Sequence, residues 1–150
     1  MTIQERLVDD VKTAMRSRNQ SRLDTLRMVR AAIHDEEIAR RTSLDEDSII
    51  QVISRMARQH RESIEQFHAG NREDLVGKEE VRLAVLTEYL PEQISHDELM
   101  GLAQSAIDAL GARGPTDRGK VMAKLMPLVR GKADGSRVNE VVVQLLGGDG

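Results

Sequence analysis

Apolar residues recur three and four positions apart along most of the chain, with polar residues between them. That spacing marks one face of an α-helix, not the two-residue alternation of a half-buried strand. The first run is Ile3, Leu7, Val11 and Ala14 or Met15, opened by Thr2 and Glu5 as a capping box. Polar residues 17–20 read as a turn. A second helix is predicted over about 21–41, with Leu23, Leu26, Val29 and Ile33 on one side and Met28, Ala32 and Ala39 widening it. Ser43 and Glu46 form a second capping box before a long third helix. Its stripe is Ile49, Ile53, Met56, His60, Ile64 and Phe67, and Gly70 stops it. Asn71 is expected to cap a fourth helix, from Arg72 to about Leu90, with Leu75, Leu83, Leu86 and Leu90 near one face.

Pro91 ends that helix, because a proline disfavours helical backbone at the residue before it. A new capping box, Ser95 and Glu98, follows at once. The chain therefore divides into 1–92 and 93–150. The fifth helix runs to about Leu110, with Leu99, Leu102, Ala103, Ala106 and Leu110 inward, and Gly111, Gly114 and Pro115 make a loop. Asp117 or Thr116 caps a sixth helix holding Val121, Met122, Leu125 and Met126. Pro127, which lacks a backbone donor, predicts a kink or break inside it. Asp134-Gly135 is a turn signal, and Ser136 is expected to cap a last helix carrying Val138, Val141, Val142 and Leu145. Val141 to Val143 has β propensity but no second strand to pair with. Gly147 and Gly148 read as a frayed end. The expected fold is all-α: an N-terminal helical bundle followed by a smaller three-helix domain.

Composition narrows the chemistry. The chain has 150 residues and a formal charge of −3, with Phe67 and Tyr89 its only aromatics and no cysteine. Aliphatic side chains must fill the core. Disulfides, thiol catalysis and cysteine-ligated metals are excluded, and there are too few aromatics for a platform that stacks single-stranded bases. No apolar run reaches the roughly 18 residues of a membrane span, and the N-terminus is charged from Glu5 onward. A cytoplasmic location and no membrane partner are expected from these features.

The charge is unevenly spread. Between Arg113 and Arg137 lie seven basic residues and two acidic ones, whereas the part before it carries 15 basic and 21 acidic residues. A basic segment on an acidic chain points to an anionic partner, nucleic acid first. Lys120 and Lys124 are four apart and share a helix face; Arg130 and Lys132 lie at the helix end, and Arg137 just inside the next helix. These five are the candidate phosphate contacts. Asn139 is expected to bond the turn at Asp134-Gly135.

Other chemistry finds little support. The four histidines, His34, His60, His68 and His96, show no ligand spacing such as HExxH. His60 on the third stripe reads as a half-buried histidine bonded within the helix packing. Adjacent carboxylates (Asp9-Asp10, Glu36-Glu37, Glu73-Asp74, Glu79-Glu80) do not share a helix face and read as solvated surface. No nucleophile elbow or phosphate-binding glycine loop is present. No catalytic residue, cofactor or metal ligand is assigned.

The segment Gly119-Lys120-Val121-Met122, Met126-Pro127, Arg130-Gly131-Lys132-Ala133-Asp134-Gly135 and Val138-Asn139 resembles the C-terminal signature of the GatB/YqeY family. Leu26 to Ile33, Ala69 to Leu75 and Glu88 to Gln93 look like the free-standing YqeY members, so the resemblance covers nearly the whole chain. It implies two helical parts, one to about Leu90 and one from about Ser95. It also implies a C-terminal half similar to the tail of GatB. GatB is a subunit of the glutamine-dependent amidotransferase that converts misacylated Asp- or Glu-tRNA to the amide, and its tail is associated with the tRNA body. The implied partners are tRNA or a tRNA–enzyme complex, with amidotransferase subunits as further candidates. The link to carbon–nitrogen ligase activity, with glutamine as amido-nitrogen donor, comes without a counterpart of that enzyme's catalytic parts. The alternative is a protein–protein adaptor with no nucleic-acid role.

Overall fold

The computed structural model describes residues 1–147. Among them are seven α-helices and no strand: α1 Ile3–Arg16, α2 Gln20–Arg40, α3 Glu46–Ala69, α4 Glu73–Thr87, α5 His96–Leu110, α6 Arg118–Val129 and α7 Gly135–Leu145. A short 3₁₀ turn, Pro115–Asp117, precedes α6. The all-α fold follows from the helical spacing of the apolar residues. Two compact units are distinguished, Met1–Pro91 and one beginning at Glu92.

In the first unit α1 lies along α2, α3 along α4, and α2 also meets α4. Ile3, Leu7, Val11 and Ala14 of α1 bury together with Leu23, Leu26, Val29 and Ile33 of α2, while Met15 is exposed. From α3 come Ile49, Val52, Ile53, Met56 and Ala57; from α4 and just beyond it, Val85, Leu86 and Tyr89. Val76 of α4 is also buried, and Leu75 and Leu90 are only half-buried.

Two helix starts of the first unit depart from expectation, for local reasons. Asp45, not Ser43, caps α3: its carboxylate accepts from Ser48 N at 2.8 Å. That donation holds the Asp45 carboxyl below its ordinary range. Glu46 is then released from any capping box and accepts from Ile3 N at 3.2 Å, satisfying one of the bare amides that open α1. Asn71 does not cap α4. It takes left-handed backbone (φ 57) at the end of α3, where Arg72 N donates to Phe67 O at 2.8 Å. Arg72 is the N-cap of α4 without a side-chain bond, and the acids Glu73 and Asp74 supply the negative charge favoured in a first helical turn. Thr2 and Ser95 behave as expected, accepting from Glu5 N and Glu98 N, both at 3.1 Å.

Polar ties hold the first unit. Tyr89 is 3% exposed, and its hydroxyl donates to Asp10. Arg6 lies over its ring, 4.4 Å from the centroid. Arg22 reaches Asp10 at 3.8 Å and Glu88 at 2.6 Å. Burial, reinforced by Asp10, pushes the Tyr89 phenol above its ordinary ionisation range. His60 bonds Glu79 across the α3–α4 pair, as a half-buried histidine in helix packing should, and Arg82 shares that carboxylate. The carboxylates expected to be solvated therefore include several that join elements: Asp10, Glu37 (which accepts from Leu44 N at 3.1 Å) and Glu79.

The second unit is a three-helix cluster. Leu99, Ala103, Ala106 and Ile107 of α5 pack with Val121, Leu125 and Val129 of α6 and Val138, Val141 and Val142 of α7. Leu110 is 43% exposed, and Ile107 occupies the core in its place. Pro127 does not break α6, which runs on to Val129. Its ring nitrogen cannot donate to the carbonyl four residues earlier, so the helix continues with that backbone bond absent. Asp134, not Ser136, caps α7; its side chain accepts from Ser136 N at 3.2 Å. Gly147 has φ 78 after α7, and Gly148 lies outside the described residues.

Candidate nucleic-acid interface

The candidate cations are held by the second unit. Val121, Leu125 and Val129 face the core at every fourth position of α6, so Lys120 and Lys124 are turned away from it, on one face and exposed. Leu128 continues their four-residue series and is 54% exposed.

Arg130 is the C-cap of α6, and a short bridged turn from Arg130 to Ala133 follows. Gly131 is buried with φ 78, a backbone shape that side chains rarely adopt, and Arg130 and Lys132 on either side of it are exposed. The segment 93–94 clamps this turn. Gln93 Nε2 donates to Gly131 O at 2.8 Å and Ile94 N to Lys132 O at 2.8 Å.

Arg137 differs from the others. It is half-buried, and its Nη1 donates to Ile94 O at 3.4 Å. Lys132 and Arg137 thus meet at one backbone residue, Ile94, while Lys120 and Lys124 sit together on α6. Asn139 does not bond the Asp134-Gly135 turn. Its Oδ1 accepts from Arg118 Nη1 at 2.7 Å, tying the start of α6 to α7. The clamp at Gln93 and Ile94 and the Arg118–Asn139 bond escaped the sequence reading, because each joins residues more than 20 positions apart. Asp117 is the N-cap of α6, as expected, but makes no side-chain cap bond; its carboxylate accepts from Arg113 N at 3.0 Å.

The charge environment separates the two units. In the first, Arg22, Arg40, Arg55, Arg72 and Arg82 pair with Glu88, Glu36, Glu36, Asp74 and Glu79. Lys120, Lys124, Arg130 and Lys132 make no ion pair among the described residues. Such unneutralised, flexible donors are suited to phosphate oxygens. Beside Lys132 a cleft of about 320 Å³ is lined by Glu92, Ile94, Glu98, Leu102 and Leu128, so its walls mix acid with aliphatic surface. Among the described residues no group of three or more His, Asp or Glu side chains gathers as a metal would require. No helix among them is long and apolar enough to cross a membrane.

The family described as "Yqey-like protein" matches residues 4–146. Among curated relatives, the protein named "Altered inheritance of mitochondria protein 41, mitochondrial" of Pyrenophora tritici-repentis is 32% identical over 145 residues, spanning 95% of this chain and 80% of its own length. Proteins of the same name from Vanderwaltozyma polyspora and Saccharomyces cerevisiae (strain YJM789) are 35% and 32% identical, over 56% and 62% of this chain. The matches span 46% and 51% of those two yeast proteins, about half of their length. The word mitochondrial in these names overturns the purely cytoplasmic location expected from the sequence. That expectation rested on a charged N-terminus and a lack of long apolar runs, which describe how a chain meets water and not which compartment holds it. With a family match over residues 4–146 and the helical fold in agreement, the chain belongs to the YqeY-like family.

Proposed function

We propose that the chain binds tRNA, or tRNA held by an enzyme, through its C-terminal domain at 93–150. The observation that carries this reading is the set of exposed cations, Lys120, Lys124, Arg130 and Lys132, left without carboxylate partners on a basic segment of an acidic chain. Arg137 contributes charge beside Lys132 while holding Ile94. The contacts are to phosphate oxygens. Phe67 and Tyr89 both belong to the first unit, and Tyr89 is 3% exposed, so the C-terminal domain has no aromatic platform for bases. Recognition therefore rests on the spacing of phosphates along an A-form helix and on the 2′-hydroxyls, because side chains do not enter its narrow major groove.

In this reading the chain is a binding component related to tRNA amidotransferase systems, and amidotransferase subunits are the protein partners to test. It supplies no catalytic group of its own. Affinity for total tRNA should fall linearly on a log–log plot against salt. With each neutralised duplex phosphate contributing a slope of roughly −0.9, four cations predict a slope of about −3 to −4. A slope near zero sinks the phosphate mechanism. Glutamine-dependent amidation by the isolated chain would overturn the non-catalytic role.

A further inference from the structure

The α1–α2 hairpin leaves a groove of about 300 Å³ on the first unit, lined by Gln4, Leu7 and Val8 of α1 and by Arg30, Ile33, His34 and Glu37 of α2. Its floor is aliphatic: Leu7 and Ile33 are buried, and Val8 is 37% exposed. Apolar surface continues along both helices. Met15, seven residues after Val8, is 54% exposed, and Ile38, four residues after His34, is 62% exposed. Helical spacing sets cations along the same edges. Arg27 precedes Arg30 by three positions and Lys12 follows Val8 by four. Lys12, Arg27 and Arg30 are all exposed, and none makes an ion pair among the described residues. The one acid in the wall, Glu37, is engaged by Leu44 N at 3.1 Å.

We infer that this groove docks an acidic amphipathic helix of a partner protein. Apolar side chains of that helix, spaced three and four apart, enter over Val8 and Ile33. Carboxylates on its flanks meet Arg27, Arg30 and Lys12, which have no acid of their own to neutralise them. An RNA strand would gain nothing from the aliphatic floor. An anionic lipid surface calls for a flat or convex apolar face, and this surface is concave with Glu37 in its wall. The site lies in the first unit and shares no residue with the tRNA reading, so either stands or falls without the other.

The test uses the full chain and a fluorescein-labelled peptide of about eighteen residues, long enough for five helical turns. Leucines follow helical spacing, and glutamates fill the other faces. A second peptide carries lysine in place of glutamate. Saturable anisotropy is expected with the acidic peptide alone. Arg27→Glu/Arg30→Glu should weaken it at least about tenfold, Val8→Ser should weaken it severalfold, and Lys120→Glu/Lys124→Glu should leave it unchanged. Circular dichroism verifies that each variant is folded. Equal binding of the two peptides, no binding of the acidic one, or binding that survives Arg27→Glu/Arg30→Glu overturns the inference. So does an Arg27- and Arg30-dependent response to anionic phospholipid vesicles or to tRNA that exceeds the response to the acidic peptide.

Discussion

Removing the Tyr89 hydroxyl tests whether the first unit is tied where the structure says it is. Tyr89→Phe keeps the ring, the aliphatic contacts and the Arg6 guanidinium 4.4 Å above it. It deletes only the donor to Asp10. A hydrogen bond to a charged acceptor is worth about 1.5–3 kcal/mol. The Asp10 side chain is 30% exposed and keeps Arg22 at 3.8 Å, so water and Arg22 recover part of that loss. The expected cost is therefore about 1–2 kcal/mol. With urea slopes of about 1–3 kcal/mol per molar, the unfolding midpoint followed by circular dichroism should fall by roughly 0.5–1 M. The pH dependence gives a second reading. The Tyr89 phenol ionises above its ordinary range in the folded chain, so the folded state holds its proton where the unfolded state has lost it. The associated stability is fully present below about pH 10, the unfolded value, and declines as pH rises above it. Tyr89→Phe should flatten this alkaline decline. A midpoint unchanged within about 0.2 M, together with an unaltered alkaline decline, would refute the reasoning and place the Tyr89–Asp10 bond outside the forces that hold the unit.

Two further substitutions separate local devices of the second unit. Asp134→Ala removes the side-chain cap of α7 and should cost about 1 kcal/mol, while Ser136→Ala should stay within a few tenths; the reverse order in urea denaturation would restore Ser136 as the cap. Gly101 is an exposed residue inside α5, with no atom within 4 Å of where a methyl group would sit, so Gly101→Ala should stabilise by about 0.5–1 kcal/mol. Gly131→Ala should instead destabilise by about 1–2 kcal/mol, because φ is 78 at a buried position.

The helices were legible because their signals are local. Thr2 with Glu5 and Ser95 with Glu98 are three residues apart, and their bonds form within one turn whatever the rest of the chain does. Ile3, Leu7, Val11 and Ala14, or Val138, Val141 and Val142, state their buried face by spacing alone. Ser43 and Glu46 carried the same signature and failed, because Asp45 caps α3 and Glu46 accepts from Ile3 N, 43 residues away. Asn71 failed for a different reason: its tolerance of left-handed backbone serves the end of one helix as readily as the start of another. Pro127 predicts a kink or break through its missing donor, yet α6 runs on to Val129 with that bond absent, because the packing of Val121, Leu125 and Val129 carries the helix through.

The candidate site was legible as a set of charges and not as an arrangement. The four-residue spacing of Lys120 and Lys124 fixes their common face. The spacing of Arg130, Lys132 and Arg137 does not reveal that Gly131 is buried, that residues 93–94 clamp the turn, or that Arg137 spends a donor on Ile94 O. These ties cross from one element to another, and no short-range pattern announces them.

The most direct test of the tRNA reading is fluorescence anisotropy of labelled total tRNA with the full chain and with Lys120→Glu/Lys124→Glu, at one low and one moderate salt concentration. Circular dichroism and the urea midpoint serve as controls for folding. The account predicts saturable binding that weakens with salt and is lost in the folded variant. Equal binding by the folded variant, or no binding by the unaltered chain at low salt, would contradict it.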